Sequence, residues 1–258
     1  MFQRQAKASA YINNRINALK QSFNAEKDDP TCFIEAYLKE LGENTAGNYF
    51  DQNHLFGCAR PFFAAASNTT GDLLVWFMLY MMKFPEVQKK LREEVDDVVG
   101  ESRVSSQMKH RMPYTMAVME ELHRHTSVVP IGLAHAVSKD VRMGSYHLPK
   151  GTVIHICTFR VHNNPKYFPN PEKFDPERFI SNGGFVHDEH VIPFGSGRRS
   201  CPGEPIAHVE SFLYIVSFIQ KFLIEAPKGR KYTLHGVEEL FGRNPKDVPI
   251  EVVFKKRQ

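Results

Sequence analysis

One cysteine lies in a glycine-rich, basic turn directly ahead of a long apolar segment, and this arrangement limits the folds open to the chain. The turn reads PFGSGRRSCPGE over residues 193–204, with Arg198 and Arg199 close to Cys201. Three glycines leave the loop little side-chain bulk: Gly195, Gly197 and Gly203. The apolar run 206–222 indicates that a buried helix begins just past the sulfur. The sequence therefore predicts a cysteine presented by exposed backbone at the start of a core helix.

Three chemistries are consistent with a cysteine in such a turn, and its neighbours separate them. A phosphate-binding loop would follow its glycines with a lysine and a hydroxyl residue, and this loop has no such lysine. A disulfide needs a partner, but Cys32, Cys58 and Cys157 are scattered along the chain without a pairing rhythm. Arginine charge and the start of a helix both favour the anionic form of a thiol. We therefore expect Cys201 to be a thiolate that serves as a soft metal ligand.

The spacing Phe194-x-x-Gly197-x-Arg199-x-Cys201-x-Gly203 resembles the haem-binding loop of the cytochrome P-450 superfamily. The resemblance implies that Cys201 is the axial ligand of the iron in haem b, iron protoporphyrin IX. It also implies that Arg199 binds a haem propionate, that the Gly197 side admits the porphyrin, and that Phe194 and Gly203 belong to the cofactor-binding residues. On this motif alone, a glycine-rich turn with a structural cysteine remains the alternative.

A second constellation pairs opposite charges on a helix after Pro113. Glu121 and Arg124 are three residues apart on a face that is otherwise apolar. From the spacing alone, a surface salt bridge is the favoured interpretation. The downstream segment Phe174-Asp175-Pro176-Glu177-Arg178-Phe179 changes this balance, because in the P-450 family such an arginine joins the E-x-x-R pair in a buried charge network. The resemblance therefore implies a structural network of Glu121, Arg124 and Arg178.

A run of small side chains with hydroxyls, Ala64-Ala65-Ala66-Ser67-Asn68-Thr69-Thr70, lies in the most apolar long segment of the chain. Seen alone, it indicates close helix packing. It also resembles the family's oxygen-binding segment, in which a locally opened helix holds dioxygen and water. Ala65 and Thr69 match that segment, whereas Ala66 replaces its glycine and Asn68 replaces its acid. The resemblance implies catalytic roles for Thr69 and Asn68, although an amide cannot relay protons as a carboxylate does.

Histidines and apolar residues supply the remaining candidates. His135 would by default be an ordinary strand histidine, and the resemblance implies that it reaches a haem propionate. The other histidines lack zinc-ligand spacing, so we expect no metal besides the haem iron. The candidate substrate-pocket residues are Phe62, Phe63, Val128, Val129, Ile131, Leu133 and Leu240.

The composition is that of an ordinary globular protein, with 42% hydrophobic and 24% charged residues. The net charge of +4 comes without a dense basic stripe, so we expect no nucleic-acid partner. The first 20 residues lack an apolar stretch and are expected to be neither a signal peptide nor a membrane anchor. Polar residues in the segment 62–84 favour a buried core helix over a membrane span.

Hydrophobic spacing predicts a mainly α protein with small β-sheets. We expect helices over about 2–23, 34–41, 52–83, 85–100 and 113–124, a small sheet of hairpins over 134–158, an irregular connection over 160–184, the buried helix over about 206–222, and last strands near 232–234 and 250–254. The resemblance makes this an incomplete cytochrome P-450 fold, in which residues 1–258 are the carboxy-terminal portion of a single domain. The oxygen-binding helix would span about 52–83 and the haem-thiolate loop about 193–203.

By resemblance, chiefly to the microsomal drug- and steroid-metabolising branch, the whole protein would be a haem-dependent monooxygenase. It would insert one oxygen atom of O2 into an apolar organic substrate, with electrons from a flavoprotein NADPH reductase whose acidic surface could face Arg198 and Arg199. Membrane association, on the cytoplasmic face of the endoplasmic reticulum, would come through an amino-terminal region outside this chain.

Two alternatives stay open. One is a P-450-like isomerase or dehydratase, which is consistent with Asn68 in place of the acid. The other is a non-catalytic haem-binding fragment. Residues 1–258 alone are not expected to be a working monooxygenase, because the long helix and the helix after Cys201 are apolar almost all round and expect more neighbours than the chain supplies.

Overall fold

A computed structural model describes residues 2–24, 28–43, 50–229 and 251–257. The chain divides into two compact units, Met1–Asn68 and Thr69–Gln258, and each is described by itself. Among the described residues, no helix combines the length and the apolar character that crossing a membrane requires.

The first unit consists of helices α1 (Phe2–Ser22) and α2 (Phe33–Glu43) and the first half of the long helix α3 (Gln52–Lys83). Asp51 caps α3, because its carboxylate accepts a hydrogen bond from the His54 amide at 2.8 Å. Pro61 lies inside α3 without ending the helix. The core of this unit is small and consists of Ile12, Ile16, Tyr37, Leu55 and Ala59.

The second unit contains the main core. Helices α4 (Pro85–Val98), α5 (Pro113–Thr126) and α7 (Glu204–Lys221) each carry a proline in the first turn, where a missing amide hydrogen is harmless. They pack with the second half of α3 around side chains that include Phe77, Leu91, Val118, Phe212 and Ile215. Helix α5 ends at Ser127, whose φ of 40° is left-handed. The candidate charge network and the cysteine loop therefore both belong to the unit that contains the main core.

Short antiparallel ladders complete the described part of the second unit. Strand β1 (His135–Ala136) pairs with β4 (Val153–Ile154), and β2 (Val141–Met143) pairs with β3 (Tyr146–Leu148). Beyond helix α6 (Thr158–His162), β5 (Ile180–Ser181) pairs with β6 (Gly184–Phe185), and β7 (Phe222–Glu225) pairs with β8 (Val253–Lys256). Each of these sheets has two short strands and is too small to form a layer of its own, so the helices supply most of the core.

The prediction of a mainly α fold with small sheets is confirmed. The apolar run 206–222 does not form one helix to its end, because Phe222 begins β7. The connection over 160–184 is more regular than expected, since it holds the end of α6, a 3-10 helix (Pro176–Phe179) and the β5–β6 hairpin. The last strand is β8, which starts later than the predicted 250–254 strand, and the predicted strand 232–234 lies outside the described residues.

Candidate functional site

Cys201 lies at the end of a loop that is pinned by its own backbone. The Cys201 amide donates to the Phe194 carbonyl at 2.8 Å, and the Ser200 amide donates to the Gly197 carbonyl at 3.0 Å. These two bonds close the loop on either side of a short 3-10 turn over Gly197–Arg199, and α7 begins three residues after the sulfur. The thiol is free and exposed. The loop therefore presents a sulfur on a backbone that few side chains cover.

Two glycines of the loop have left-handed backbone conformations. The φ angle is 77° at Gly195 and 78° at Gly197, a region that other residues adopt only with strain. Gly203 has an ordinary φ of −88°, so its backbone conformation does not require glycine. A Cβ atom added there would lie 3.8 Å from the Cys201 sulfur. Gly195 and Gly197 thus shape the loop, whereas Gly203 keeps space open beside the sulfur.

Phe194 is held by two imidazole rings from neighbouring helices. Its ring centroid lies 5.3 Å from that of His123 on α5 and 5.0 Å from that of His208 on α7. His123 is buried, and burial, with a smaller contribution from the nearby His208 charge, lowers its pKa to about 3. Within the described residues, the Nε2 atom of His123 has no hydrogen-bond partner. The aromatic side chain at the start of the loop is therefore fixed by packing against neutral rings.

Arg199 and Arg198 lie in the 3-10 turn just before the cysteine, and both are exposed. The turn therefore places two cations within three residues of the sulfur, on the solvent side of the loop.

Glu121, Arg124 and Arg178 meet in one ion network. The guanidinium of Arg124 donates to both carboxylate oxygens of Glu121, at 2.6 Å from Nε and 2.8 Å from Nη2. Arg178 Nε donates to Glu121 Oε1 at 3.2 Å. The side chains of Glu121 and Arg124 are 0% exposed and that of Arg178 is 14% exposed. The surface salt-bridge alternative is therefore wrong, because the pair is fully buried.

Backbone groups complete the hydrogen bonds of this buried network. The Asp175 amide donates to Glu121 Oε1 at 2.8 Å, so the carboxylate holds the segment that leads into Arg178. Arg124 Nη1 donates to the His162 carbonyl at 2.8 Å, and the Arg178 guanidinium donates to the carbonyls of Pro169 and Lys173. Buried charges that are satisfied in this way fix the irregular connection against α5.

Ala65, Asn68 and Thr69 lie on α3, where all three are exposed. The helix is continuously α-helical from Gln52 to Lys83, so the local opening implied by the resemblance is absent from it. The boundary between the two units falls between Asn68 and Thr69, so Ala65 and Asn68 belong to the first unit and Thr69 to the second.

His135 lies in β1, pairs with Ile154, and is exposed. Beside it, the segment between α5 and β1 leaves several apolar side chains in solvent. Val129 is 40% exposed, Ile131 is 49% exposed and Leu133 is 85% exposed. Val128 packs partly against the main core instead. Of the other pocket candidates, Phe62 and Phe63 are exposed in the first unit, and Leu240 lies outside the described residues.

Comparison with known proteins identifies the family. A family model described as cytochrome P450 matches residues 1–252. The chain belongs to the cytochrome P450 family. Cytochrome P450 2J2 of Homo sapiens is 34% identical over 238 residues, which are 91% of this chain and 47% of that protein. Cytochrome P450 2U1 of Homo sapiens is 36% identical over 237 residues, which are 90% of this chain and 43% of that protein. This P450 chain spans about half the length of the curated relatives it matches.

The cysteine loop fits the haem-thiolate group that the P450 family implies. A haem-thiolate site needs a sulfur that a planar group can approach, and Cys201 is free and exposed. A Cβ atom built on Gly197 would meet no atom within 4 Å, so the loop leaves room on that side. Among the described residues, no group of three or more His, Cys, Asp or Glu side chains could hold a metal ion. A haem-thiolate site does not need such a group, because the protein supplies a single thiolate ligand.

Two contacts in the second unit were not predictable from the sequence. His187 Nδ1 pairs with Glu120 Oε1 at 2.5 Å, and Tyr80 on α3 donates its hydroxyl hydrogen to His125 Nδ1 at 2.5 Å. The donor is assigned because His125 Nε2 faces the Glu172 carbonyl, which can only accept. Each pair joins residues at least 45 positions apart, so no local sequence pattern predicts it.

Proposed function

We propose that this P450 chain is the haem-binding part of a monooxygenase that inserts one oxygen atom of O2 into an apolar organic substrate. The observation that carries the proposal is Cys201, a free and exposed thiol on a backbone-pinned loop, in a chain that matches the cytochrome P450 family model. A bound haem b would supply the activation of dioxygen, which no protein side chain provides. The protein then contributes the iron ligand, the anchors of the cofactor and the supply of protons.

The thiolate of Cys201 would hold the iron of this group. Arg199 is an exposed cation two residues from the sulfur, and we assign it to one haem propionate. His135 is assigned to a propionate by resemblance. Phe194, Gly197 and Gly203 would form the wall of the loop against the cofactor. The network of Glu121, Arg124 and Arg178 would act at a distance, by holding the protein segments that frame the loop.

Proton supply is assigned to the oxygen-binding segment of α3. The hydroxyl of Thr69 can accept one hydrogen bond and donate another at the same atom, and Ala65 is assigned to the same segment by resemblance. Asn68 offers an amide that can orient water but cannot titrate. We therefore assign Thr69 the direct role and Asn68 a weaker supporting one.

The exposed apolar residues Val129, Ile131 and Leu133 support a hydrophobic substrate. Electrons would come from a flavoprotein NADPH reductase, for which the exposed Arg198 beside the propionate-binding Arg199 offers a basic docking site. The corresponding location is the cytoplasmic face of the endoplasmic reticulum membrane. We expect little turnover from residues 1–258 alone, because apolar side chains at the candidate pocket stand open to water, as the exposure of Leu133 illustrates.

Isotopically labelled dioxygen tests the reaction class. The chain is loaded with haemin, supplied with the reductase and NADPH, and given a panel of apolar substrates. Any product formed should carry one labelled oxygen atom and should disappear in the Cys201→Ala variant. A product that is isomeric with its substrate and carries no label would contradict a monooxygenase and favour an isomerase.

A further inference from the structure

His162 joins the buried ion network to the segment that enters the cysteine loop. It is the last residue of α6, and its side chain is 0% exposed. Its Nδ1 atom lies 2.8 Å from Ser127 Oγ at the end of α5, and its Nε2 atom lies 2.9 Å from the amide nitrogen of Ile192. Ile192 precedes the haem-binding motif, nine residues before Cys201. One imidazole therefore connects a helix end with the base of the loop.

The surrounding groups fix the tautomer of this imidazole. The Ile192 amide can only donate, so Nε2 must be the unprotonated acceptor. The hydrogen then resides on Nδ1 and is donated to Ser127 Oγ, which in turn donates to the Arg124 carbonyl at 3.0 Å. Burial, with a further contribution from the Arg124 charge, lowers the pKa of His162 to about 4, so the ring is neutral near pH 7. All four groups form one chain of hydrogen bonds with a single direction.

The backbone of His162 is tied to the same arginine. Arg124 Nη1 donates to the His162 carbonyl at 2.8 Å, while Arg124 itself is paired with Glu121. His162 is therefore held by Arg124 through its backbone and by Ser127 through its ring. With those two contacts fixed, the remaining ring nitrogen has one position in which to accept from Ile192. The location of the ion network thus determines where the loop segment begins.

We propose that His162 is a positioning residue, which sets the cysteine loop in register with the ion network of Glu121, Arg124 and Arg178. The inference rests on the proposed function only for what the loop holds, a haem-thiolate ligand. A rigid ring with a donor at one edge and an acceptor at the other performs this task. Lysine and arginine have no acceptor, and alanine has neither group.

Hydrogen exchange measured by mass spectrometry on the 258-residue chain tests the positioning role without any cofactor. Replacing His162 with alanine leaves the Ile192 amide without its acceptor, and exchange over residues 191–201 should become about tenfold faster. Exchange in the core helix α4 should stay unchanged. The variant His162→Gln, whose amide oxygen can accept from Ile192, should recover most of the protection. His147→Ala is the matched control, because His147 is an exposed strand residue, and it should change nothing.

Unchanged exchange over residues 191–201 in His162→Ala would overturn the proposal. If His162→Ala instead exchanges faster everywhere, Ser127→Ala decides, because it keeps the imidazole and removes only its partner hydroxyl. Ser127→Ala should then accelerate exchange in the loop and leave α4 unchanged, and an unaffected loop would overturn the proposal.

A titration with haemin adds a spectroscopic readout. The fraction of the carbon monoxide complex with a thiolate-type spectrum should fall several-fold in His162→Ala and recover in His162→Gln. The two ideas fail separately. A wild-type chain without any thiolate-type spectrum would contradict the proposed function, whereas a normal spectrum in His162→Ala would contradict the positioning role.

Discussion

The Arg178 guanidinium donates to the Glu121 carboxylate at 3.2 Å, although 57 residues separate them in the chain. Arg178 comes from the 3-10 helix inside the connection over 160–184, and Glu121 comes from the buried face of α5. The same carboxylate oxygen accepts the Asp175 amide, so a loop and a helix share one anion. The buried carboxylate therefore holds the connection against α5.

Loss of either member of this pair should destabilise the chain strongly. Removing Arg178 or Glu121 leaves a buried partner without full compensation, which costs about 3–5 kcal/mol. Urea unfolding of Glu121→Ala and Arg178→Ala should show this loss, and Glu121→Ala should be the more severe because Arg124 is 0% exposed. The matched control is Lys89→Ala, which breaks an exposed ion pair with Glu93 and should cost less than about 1 kcal/mol. Equal losses in the free energy of unfolding at the buried and exposed sites would show that the buried network stabilises the chain no more than a surface ion pair does.

Two buried histidines should make stability fall in mild acid. The pKa of His123 is lowered to about 3 and that of His162 to about 4, in both cases mainly by burial, whereas an unfolded histidine titrates near 6.5. Below about pH 6.5 these two histidines bind protons in the unfolded state but stay neutral in the folded state. The free energy of unfolding therefore decreases as pH falls toward 4. Each histidine should contribute roughly 1.4 kcal/mol per pH unit in that window.

Urea unfolding at several values between about pH 7 and pH 5 measures this slope. The variants His123→Gln and His162→Gln should each show a shallower pH dependence than the wild-type chain. The exposed His147→Gln should keep the wild-type slope. The same slope in all four proteins would mean that other groups carry the acid sensitivity.

Two glycines of the cysteine loop should respond differently to an added methyl group. Gly197 has a left-handed φ of 78°, so Gly197→Ala should lower the free energy of unfolding, measured by thermal unfolding, by roughly 1–2 kcal/mol. Gly203 has no such conformation, and Gly203→Ala should melt like the wild-type chain. Its new Cβ atom would lie 3.8 Å from the Cys201 sulfur, so the carbon monoxide spectrum after haemin loading should change instead. A wild-type melting temperature for Gly197→Ala would show that the loop relaxes around the side chain.

The helices were predictable from sequence because their apolar positions repeat over several turns. Helices α3, α4 and α5 begin at residues 52, 85 and 113, where they were predicted to begin. The short strands were harder, since a strand of two residues shows no period. The apolar segment at Phe222 was assigned to a helix because a continuous apolar run does not distinguish helix from strand.

The site was predictable only where a motif was local. The spacing of Glu121 and Arg124 predicts that they are neighbours, but it favours an exposed pair, and only the resemblance supplied Arg178. The role of His162 depends on Ser127 and Ile192, which are 35 and 30 positions away. Contacts of that kind arise from tertiary packing, and the sequence around His162 carries no local signal for them.

The assignment of Cys201 as the iron ligand is tested by the spectrum of the haemin-loaded chain. Haemin is titrated into the wild-type chain and into Cys201→Ala and Cys157→Ala, and the carbon monoxide difference spectrum of each reduced sample is recorded. Cys157 is only half-buried and serves as the control for a thiol outside the loop. We expect a thiolate-type spectrum in the wild-type chain and in Cys157→Ala and its complete loss in Cys201→Ala. A thiolate-type spectrum that survives in Cys201→Ala would show that Cys201 is not the iron ligand.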